Sequence, residues 1–287
     1  MIKKILVPGF NASCSPKALK LGLDVAKQFG GAIECLHVHP NARELTRYTA
    51  SLDVESAMFS SQIWEALVAG DKTCAKRSRQ VFDAFCDREH LNVASSVQAS
   101  WQEVDGNNRD QTIAAGRYSD LVVFARPPLP EDLTTNGVGD VLVECGRPLL
   151  LAPSDGCTNP LSTVVVAWKE SAATVHAVTA AMPLLAKAQK IHVLGVAEGD
   201  EDERPILASA ERFAEFLRGH GLSPQAGHVR AKDRNACDVL LEAANERLHA
   251  GLLVMGGYGH SRAREFIFGG FTRRVLHSAP LPVFLCH

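Results

Sequence analysis

A glycine-rich segment carries the clearest chemistry in the sequence. The run Leu252–Met255 is apolar and rich in branched side chains, which predicts a buried parallel strand, and it ends at a glycine cluster. Gly269 and Gly270 then open an apolar-periodic helix. Glycines let a backbone approach a ligand closely, and the N–H groups at a helix start favour anions. The segment therefore predicts a phosphate-binding loop, although glycines after a strand also simply make turns.

Five side chains of this segment can carry positive charge: His260, Arg262, Arg264, Arg273 and Arg274. On a 3.6-residue period at least one of Arg273 and Arg274 faces solvent, so at most one is expected to touch a ligand. We keep as a hypothesis that the polar loop His260, Ser261 and Arg262 forms a flexible cover over a bound molecule.

Composition and length limit the class of protein. The chain has 287 residues, 46% hydrophobic and 22% charged, which is typical of two ordinary globular domains. A net charge of −2 gives no reason to expect a nucleic-acid or anionic-membrane partner. Apolar runs fall short of the roughly 20 residues that a membrane span needs, and residues 1–8 do not resemble a signal peptide. We therefore expect a cytoplasmic protein.

The eight cysteines are scattered and include no Cys-x-x-Cys pair, so we expect most to be reduced core residues. Cys35, His37 and His39 alternate along a predicted strand and could form one face of a metal site. The same alternation is typical of a half-buried strand, and the sequence implies no fourth ligand. We therefore predict no metal site.

Strands and helices alternate along the first half. The predicted elements are strand 5–8, a helix capped by Ser15 and Pro16 that ends at Gly30, strand 32–40, an irregular stretch 41–60, helix 61–90, strand 93–104, helix 110–119, strand 121–124, helix 137–145 and strand 148–153. This order predicts a parallel sheet.

The second half repeats that order. Its predicted elements are strand 163–167, helix 172–188, strand 190–196, helix 206–219, strand 226–230, helix 238–249, strand 252–255, a helix from Gly269 and strand 282–285. The chain is thus a duplication with domains at 1–153 and 162–287 and a polar linker at 154–161.

The predicted fold class is α/β, with two tandem flavodoxin/Rossmann-like domains. Each is expected to be a five-stranded mainly parallel sheet with helices on both faces. Ligands of such sheets bind at the carboxyl ends of the strands, here between the first and fourth strand of a half. The apolar fifth strands would be an aggregation risk if left bare, so we expect them to pair with each other and join the two halves. A further homodimer stays open.

The spacing Gly256-x2-Gly259-x9-Gly269 resembles the nucleotide-binding signature of the universal stress protein family, Gly-x2-Gly-x9-Gly-Ser/Thr. Gly270 stands where that signature has Ser or Thr. The whole chain resembles a tandem universal stress protein, with two family domains in one polypeptide. The resemblance implies an adenine nucleotide, typically ATP, whose phosphates lie on the glycine loop and the following helix.

The resemblance also implies a set of binding residues in the second half. It assigns the phosphates and ribose to Gly256, Gly259, Gly269, Gly270 and Thr272, with Met255 and Phe271 nearby. It places adenine at Val196 and assigns backbone contacts with the base to Ala167 and Trp168. Thr272 is a candidate to replace the hydroxyl that is missing at position 270.

Lys169 departs from the family pattern. ATP-binding members usually carry an aspartate there, near the ribose and the metal. A lysine can pair with phosphate or be a solvated surface charge. This leaves Mg²⁺ in question as a companion of ATP.

The first half departs further. After its fourth strand come three prolines, which supply no N–H, and two carboxylates, in the run 125–132. Another carboxylate, Asp140, lies near the start of the next helix. We expect this half not to bind ATP through the motif and to serve in pairing, and a different small ligand there stays open.

Three function classes remain. The leading prediction is a stress-response protein that binds ATP as a sensor or regulator, because the sequence shows no nucleophile, base and orienting group at recognisable spacing. Slow ATP hydrolysis is the enzyme alternative. The third class is an interaction module without nucleotide.

Overall fold

The computed structural model describes residues 1–9, 15–40, 54–91, 97–126, 138–154, 159–257 and 270–287. Its strands are β1 (Lys4–Pro8), β2 (Ala32–His39), β3 (Gln98–Asp105), β4 (Leu121–Ala125), β5 (Leu149–Ala152), β6 (Thr163–Ala167), β7 (Lys190–Glu198), β8 (Pro224–Lys232), β9 (Leu252–Gly256) and β10 (Val283–Cys286). Its helices are α1 (Pro16–Phe29), α2 (Val54–Arg88), α3 (Asn108–Arg117), α4 (Val138–Glu144), α5 (Ala172–Leu185), α6 (Glu203–Gly219), α7 (Ala236–Glu242) and α8 (Gly270–Ser278).

The strands form one ten-stranded sheet in the order β3-β2-β1-β4-β5-β10-β9-β6-β7-β8. Neighbours within β1–β5 and within β6–β10 are parallel, and only the β5–β10 junction is antiparallel. Each half thus repeats one strand order, with its first strand beside its fourth. The predicted α/β class, a mainly parallel sheet covered by helices, is confirmed.

Side chains alternate between two apolar layers because successive strand residues point to opposite faces. Ile5 and Val7 of β1 pack with α1, whereas Leu6 packs with α3 and α4. In the second half the corresponding layers contain α5 and α6 on one face and α7 and α8 on the other. Helices therefore cover both faces, as predicted.

Strands β5 and β10 join the halves. Leu150 pairs with Phe284 at the centre of three antiparallel partners, and both side chains are at most 1% exposed. The predicted pairing of the two apolar fifth strands is confirmed, and it hides both from solvent.

Local signals explain where the first helix begins and ends. The Ser15 hydroxyl caps the N-terminus of α1 by accepting a hydrogen bond from the Ala18 N–H, and Pro16 follows at the first helical position. Gly30 ends α1 with φ of +57°, a left-handed conformation that suits glycine. Both predicted signals are confirmed.

Some predicted bounds were wrong. Residues 54–60 belong to α2 and are not irregular, because no glycine or proline interrupts the chain between Val54 and Ala69. Helices α3 and α6 begin earlier than predicted, since the side chains of Asn107 and Asp202 cap them. The predicted helix 238–249 ends as a π-helical turn at Ala243–Arg247. Residues 41–53 and 92–96 lie outside the described residues.

Most of the described cysteines have the buried environment expected of core residues. Cys35, Cys86, Cys145 and Cys237 are buried, and Cys74, Cys145, Cys237 and Cys286 are free thiols. Within the described residues, no helix combines the length and apolar character needed to cross a membrane.

The junction strands should carry much of the stability. We expect Phe284→Ala to lower the free energy of unfolding by about 3–5 kcal/mol, because it leaves a cavity at the β5–β10 junction. The matched change Phe216→Ala, at a side chain that is 55% exposed, should cost about 1 kcal/mol or less. Urea unfolding of both variants measures this. Equal losses would contradict a buried junction.

Candidate functional site

Four candidate residues of the second half form an apolar shelf, defined as Ala167, Val196, Met255 and Phe271. Ala167, Val196 and Met255 lie at or near the carboxyl ends of β6, β7 and β9, which are neighbours in the sheet. All four side chains pack on the face covered by α7 and α8, and Met255 alone is fully buried. The structure therefore brings together four of the predicted site residues at the predicted crevice.

The first glycine of the glycine-rich segment, Gly256, lies where packing already requires a glycine. A Cβ at this position would lie 2.5 Å from the Thr174 nitrogen and 2.6 Å from the Ala173 carbonyl carbon, in the first turn of α5. The backbone of β9 therefore approaches α5 more closely than any side chain allows. Gly259, Gly269, His260, Ser261, Arg262 and Arg264 lie outside the described residues.

The start of α8 has no close neighbours among the described residues. Gly270 is exposed, and a Cβ there would meet nothing within 4 Å among the described residues. Thr272, the candidate hydroxyl, is 7% exposed on the covered side of the helix, and Phe271 is half-buried. The N-terminal turn of α8 thus has an accessible start beside the apolar shelf.

Arg273 and Arg274 both face solvent, which agrees with the prediction that at least one does. Arg274 forms two hydrogen bonds to Asp238 of α7, each 2.7 Å long. These hydrogen bonds lower the pKa of the Asp238 carboxyl group. The pairing holds the guanidinium of Arg274 on α7.

The turn after β6 contains Trp168, whose groups are largely engaged. Its backbone N–H donates to the Leu194 carbonyl at 2.8 Å. Its indole stacks on Phe213 with 3.7 Å between ring centroids, and Nε1 donates to Ser209 Oγ at 3.0 Å. The side chain is therefore held against α6, on the face opposite the apolar shelf.

Lys169 follows Trp168 and is exposed. It makes no hydrogen bond or ion pair with another residue in the part of the chain that the structure describes. Its charge is available at the carboxyl end of β6, so both of its predicted roles stay open.

In the equivalent region of the first half, acidic and basic side chains pair with each other. Asp140, in the first turn of α4, accepts a 2.6 Å hydrogen bond from Arg109, which also pairs with Glu144. Arg126, just after β4, donates to the Ala279 carbonyl of the other half. Burial lowers the pKa of Arg126 to about 10. Residues 127–137, where the prolines and two carboxylates were noted, lie outside the described residues.

Sequence reasoning missed a second polar cluster, because its third member is remote along the chain. Asp71 of α2 lies beside His37 and His39 of β2, 34 and 32 positions away. Burial lowers the pKa of His39, but hydrogen bonds to Asp71 and Glu103 outweigh it and leave this pKa raised. Hydrogen bonds from Trp101 and His39 lower the pKa of Glu103.

Residues 160–287 match the model of the Universal stress protein family. By this match, the second half of the chain is similar to a universal stress protein domain. That domain holds the apolar shelf, Lys169 and the glycine-rich segment. The family match is confined to these residues, so a second family domain in the first half stays a prediction.

A curated relative agrees with the family match. Universal stress protein Slr1230 of Synechocystis is 30% identical over 104 residues. This match covers 32% of the present chain and 31% of the relative, so the chain spans about a third of that protein's length.

Solved structures show the fold over nearly the whole chain. A universal stress protein from Archaeoglobus fulgidus has a TM-score of 0.64 at 17% identity, covering 99% of this chain and 95% of that one. A putative universal stress protein from Pseudomonas aeruginosa has a TM-score of 0.59 at 15% identity, covering 99% and 93%. At these identities the likeness concerns architecture alone.

The two described ends of the glycine segment should respond differently to an added methyl group. We expect Gly256→Ala to lower the free energy of unfolding by about 1–3 kcal/mol, because its Cβ overlaps the backbone of α5. Gly270→Ala should change it by about 0.5 kcal/mol or less, since that Cβ meets open space. Thermal unfolding compares them, and equal stability would rule out the close contact between β9 and α5.

Proposed function

We propose that the second half binds an adenine nucleotide, ATP, in a stress-response role. The observation that carries this proposal is the exposed start of α8 at Gly270, beside the apolar shelf, within a universal stress protein domain. The apolar shelf suits the flat face of a base. The N–H groups and the positive dipole end at the start of α8 suit phosphate.

The proposed contacts follow from position. Adenine lies against Ala167 and Val196, with Met255 beneath and the backbone of Trp168 at its edge. The phosphates lie on Gly256, Gly259, Gly269 and Gly270, the last of which begins α8, and Phe271 and Thr272 complete the wall of the site.

Within this proposal ATP acts as a regulatory ligand that stabilises one conformation or one partner surface, and not as the substrate of a fast enzyme. The protein acts in the cytoplasm as two tandem family domains, 1–153 and 162–287, joined by residues 154–161. Slow hydrolysis and a nucleotide-free interaction module are the other outcomes that the experiments distinguish.

The first experiment measures nucleotide directly. Purified protein is denatured and its supernatant is separated by anion exchange, and ATP is then titrated with and without Mg²⁺. We expect about one equivalent of ATP per chain, bound in the second half. Released ADP that accumulates in proportion to protein concentration would favour the slow hydrolase. Absence of nucleotide and of binding would favour the interaction module.

A glycine substitution locates the site without disturbing the fold. We expect Gly270→Val to weaken ATP binding at least about tenfold, a loss of about 1.4 kcal/mol, because a branched side chain covers the first N–H groups of α8. The control is Gly219→Val, at an equally open position at the end of α6. Calorimetric titration measures both. Unchanged affinity in Gly270→Val would remove α8 from the site.

The role of Lys169 in balancing the phosphate charge can be tested by removing its amino group. If Lys169 pairs with phosphate, Lys169→Ala weakens ATP binding about fivefold and flattens its salt dependence, as expected for a partly solvated ion pair. Lys187→Ala, which removes an exposed lysine beyond the other end of α5, serves as the matched control. Equal affinity in both variants would assign Lys169 to the solvated surface.

A further inference from the structure

The chain crossover between β2 and β3 brings three potential metal ligands together in the first half. His37 and His39 alternate on β2, so their side chains point to the same face, which α2 covers. Asp71 of α2 reaches both rings: its Oδ1 lies 3.3 Å from His37 Nε2, and its Oδ2 lies 2.6 Å from His39 Nδ1. The three ligating atoms lie within 4.8 Å of one another.

These distances suit a small divalent cation. Zinc–nitrogen and zinc–oxygen bonds of about 2.0–2.2 Å at tetrahedral angles place neighbouring ligand atoms about 3.3–3.5 Å apart. The separation of His37 Nε2 from Asp71 already has this value. His39 Nδ1, now 2.6 Å from Asp71 Oδ2, reaches the same separation if it moves away from Asp71 by less than an ångström. Cys35, the other candidate from the sequence, does not belong to the cluster among the described residues.

The far nitrogen of His39 is also held by a carboxylate. Its Nε2 lies 3.2 Å from Glu103 Oε2, and Glu103 Oε1 accepts a 2.7 Å hydrogen bond from Trp101 Nε1. A carboxylate on the outer nitrogen orients a metal-ligating histidine and raises its basicity. Carboxylates thus face both ring nitrogens of His39. Because an ionised carboxylate only accepts hydrogen bonds, the 2.6 Å contact between Nδ1 and Asp71 contains a hydrogen-bonding proton, which a bound metal ion would replace.

The other histidine is fixed by packing. His37 is only 4% exposed, and its ring stacks on Trp101 at 6.0 Å between centroids with planes 15° apart. Trp101 therefore positions both histidines, one by ring contact and one through Glu103. A buried imidazole with a restricted orientation requires little ordering when it binds an ion.

The second half shows that the fold does not require these side chains. The strand registers make Cys35 equivalent to Val193, so His37 and His39 correspond to Gly195 and Ala197. A Cβ at Gly195 would lie 2.4 Å from Ile206 Cγ2, so α6 fills the space that the imidazole of His37 occupies in the first half. The histidines are thus a property of the first half alone.

We propose that His37, His39 and Asp71 bind one divalent transition-metal ion of the zinc type, with Glu103 and Trp101 as positioning residues. Two imidazoles and one carboxylate match the ligand preference of zinc and its neighbours, and they exclude Mg²⁺ and Ca²⁺, which require oxygen ligands. Three protein ligands leave a coordination position for water or a small anion. This site gives the first half a ligand of its own, independent of the nucleotide proposed for the second half.

The test uses the full chain after treatment with EDTA. Zn²⁺ is titrated in competition with a chromogenic chelator, and we expect one tight equivalent per chain. Asp71→Asn and His39→Gln should each weaken that equivalent at least about 100-fold, and Glu103→Gln about 10–100-fold, as expected for an orienting carboxylate. The matched control is His228→Gln, which removes a histidine that pairs with Glu203 in the second half and should leave zinc binding unchanged.

Co²⁺ identifies the ligand types in the wild-type chain. We expect the visible bands of a four- or five-coordinate nitrogen and oxygen site, without the near-ultraviolet charge-transfer band of a thiolate. This readout needs no variant, so it stands even if Asp71→Asn fails to fold. Circular dichroism checks the fold of each variant.

Three results would overturn the proposal. They are the absence of a tight zinc equivalent in the wild type, unchanged zinc binding in folded His39→Gln, and a thiolate band with Co²⁺. Gly270→Val should retain zinc binding, so loss of the metal site and loss of the nucleotide site are distinguishable.

Discussion

The antiparallel pairing of β5 with β10 is the interaction on which the rest of the architecture depends. It merges two parallel five-stranded sets into one sheet and removes two apolar edges. Reciprocal contacts flank it. Gly257 packs against Leu142 of the first half, where a Cβ would lie 2.9 Å from Leu142 Cδ2. At the equivalent position of the first half, Arg126 donates to Ala279 of the second.

The same pairing separates the two candidate sites. Strands within each half are parallel, and the two halves run in opposite directions. Their carboxyl ends therefore lie at opposite ends of the sheet along the strand direction. On one side the apolar shelf adjoins the start of α8. On the other side His37 and His39 meet Asp71. One strand order therefore carries two different sets of side chains at the ends of equivalent strands.

Elements with a strong local signal could be predicted from the sequence. The branched apolar runs became strands, Ser15 and Gly30 bounded α1, and the apolar fifth strands predicted their own pairing. The caps Asn107 and Asp202 were missed because a single polar residue before a helix is common in loops. The start of α2 was missed because its first turns carry a weak apolar period.

The residues of the candidate sites likewise include some that could be predicted from the sequence and others that could not. Ala167, Val196 and Met255 could be named because the resemblance to the universal stress protein family assigns them, and the sequence predicted the strand ends near which they lie. Asp71 could not be assigned to His37 and His39, since the crossover that brings it back to β2 is set by packing of α2 and not by spacing. The packing role of Gly256 was also hidden, because its neighbour across the contact, α5, lies more than eighty positions earlier.

The β5–β10 junction also makes the pairing of the two halves independent of protein concentration. When two separate chains share such a junction, dilution dissociates them, and the sheet is only as persistent as the dimer. In this protein both strands of the junction belong to one polypeptide, so the local concentration of each half around the other does not fall on dilution. The contact between Gly257 and Leu142 is therefore made at any abundance of the protein. Gly257, the last described residue of the glycine-rich segment before α8, thus contacts the first half whatever the copy number of the protein.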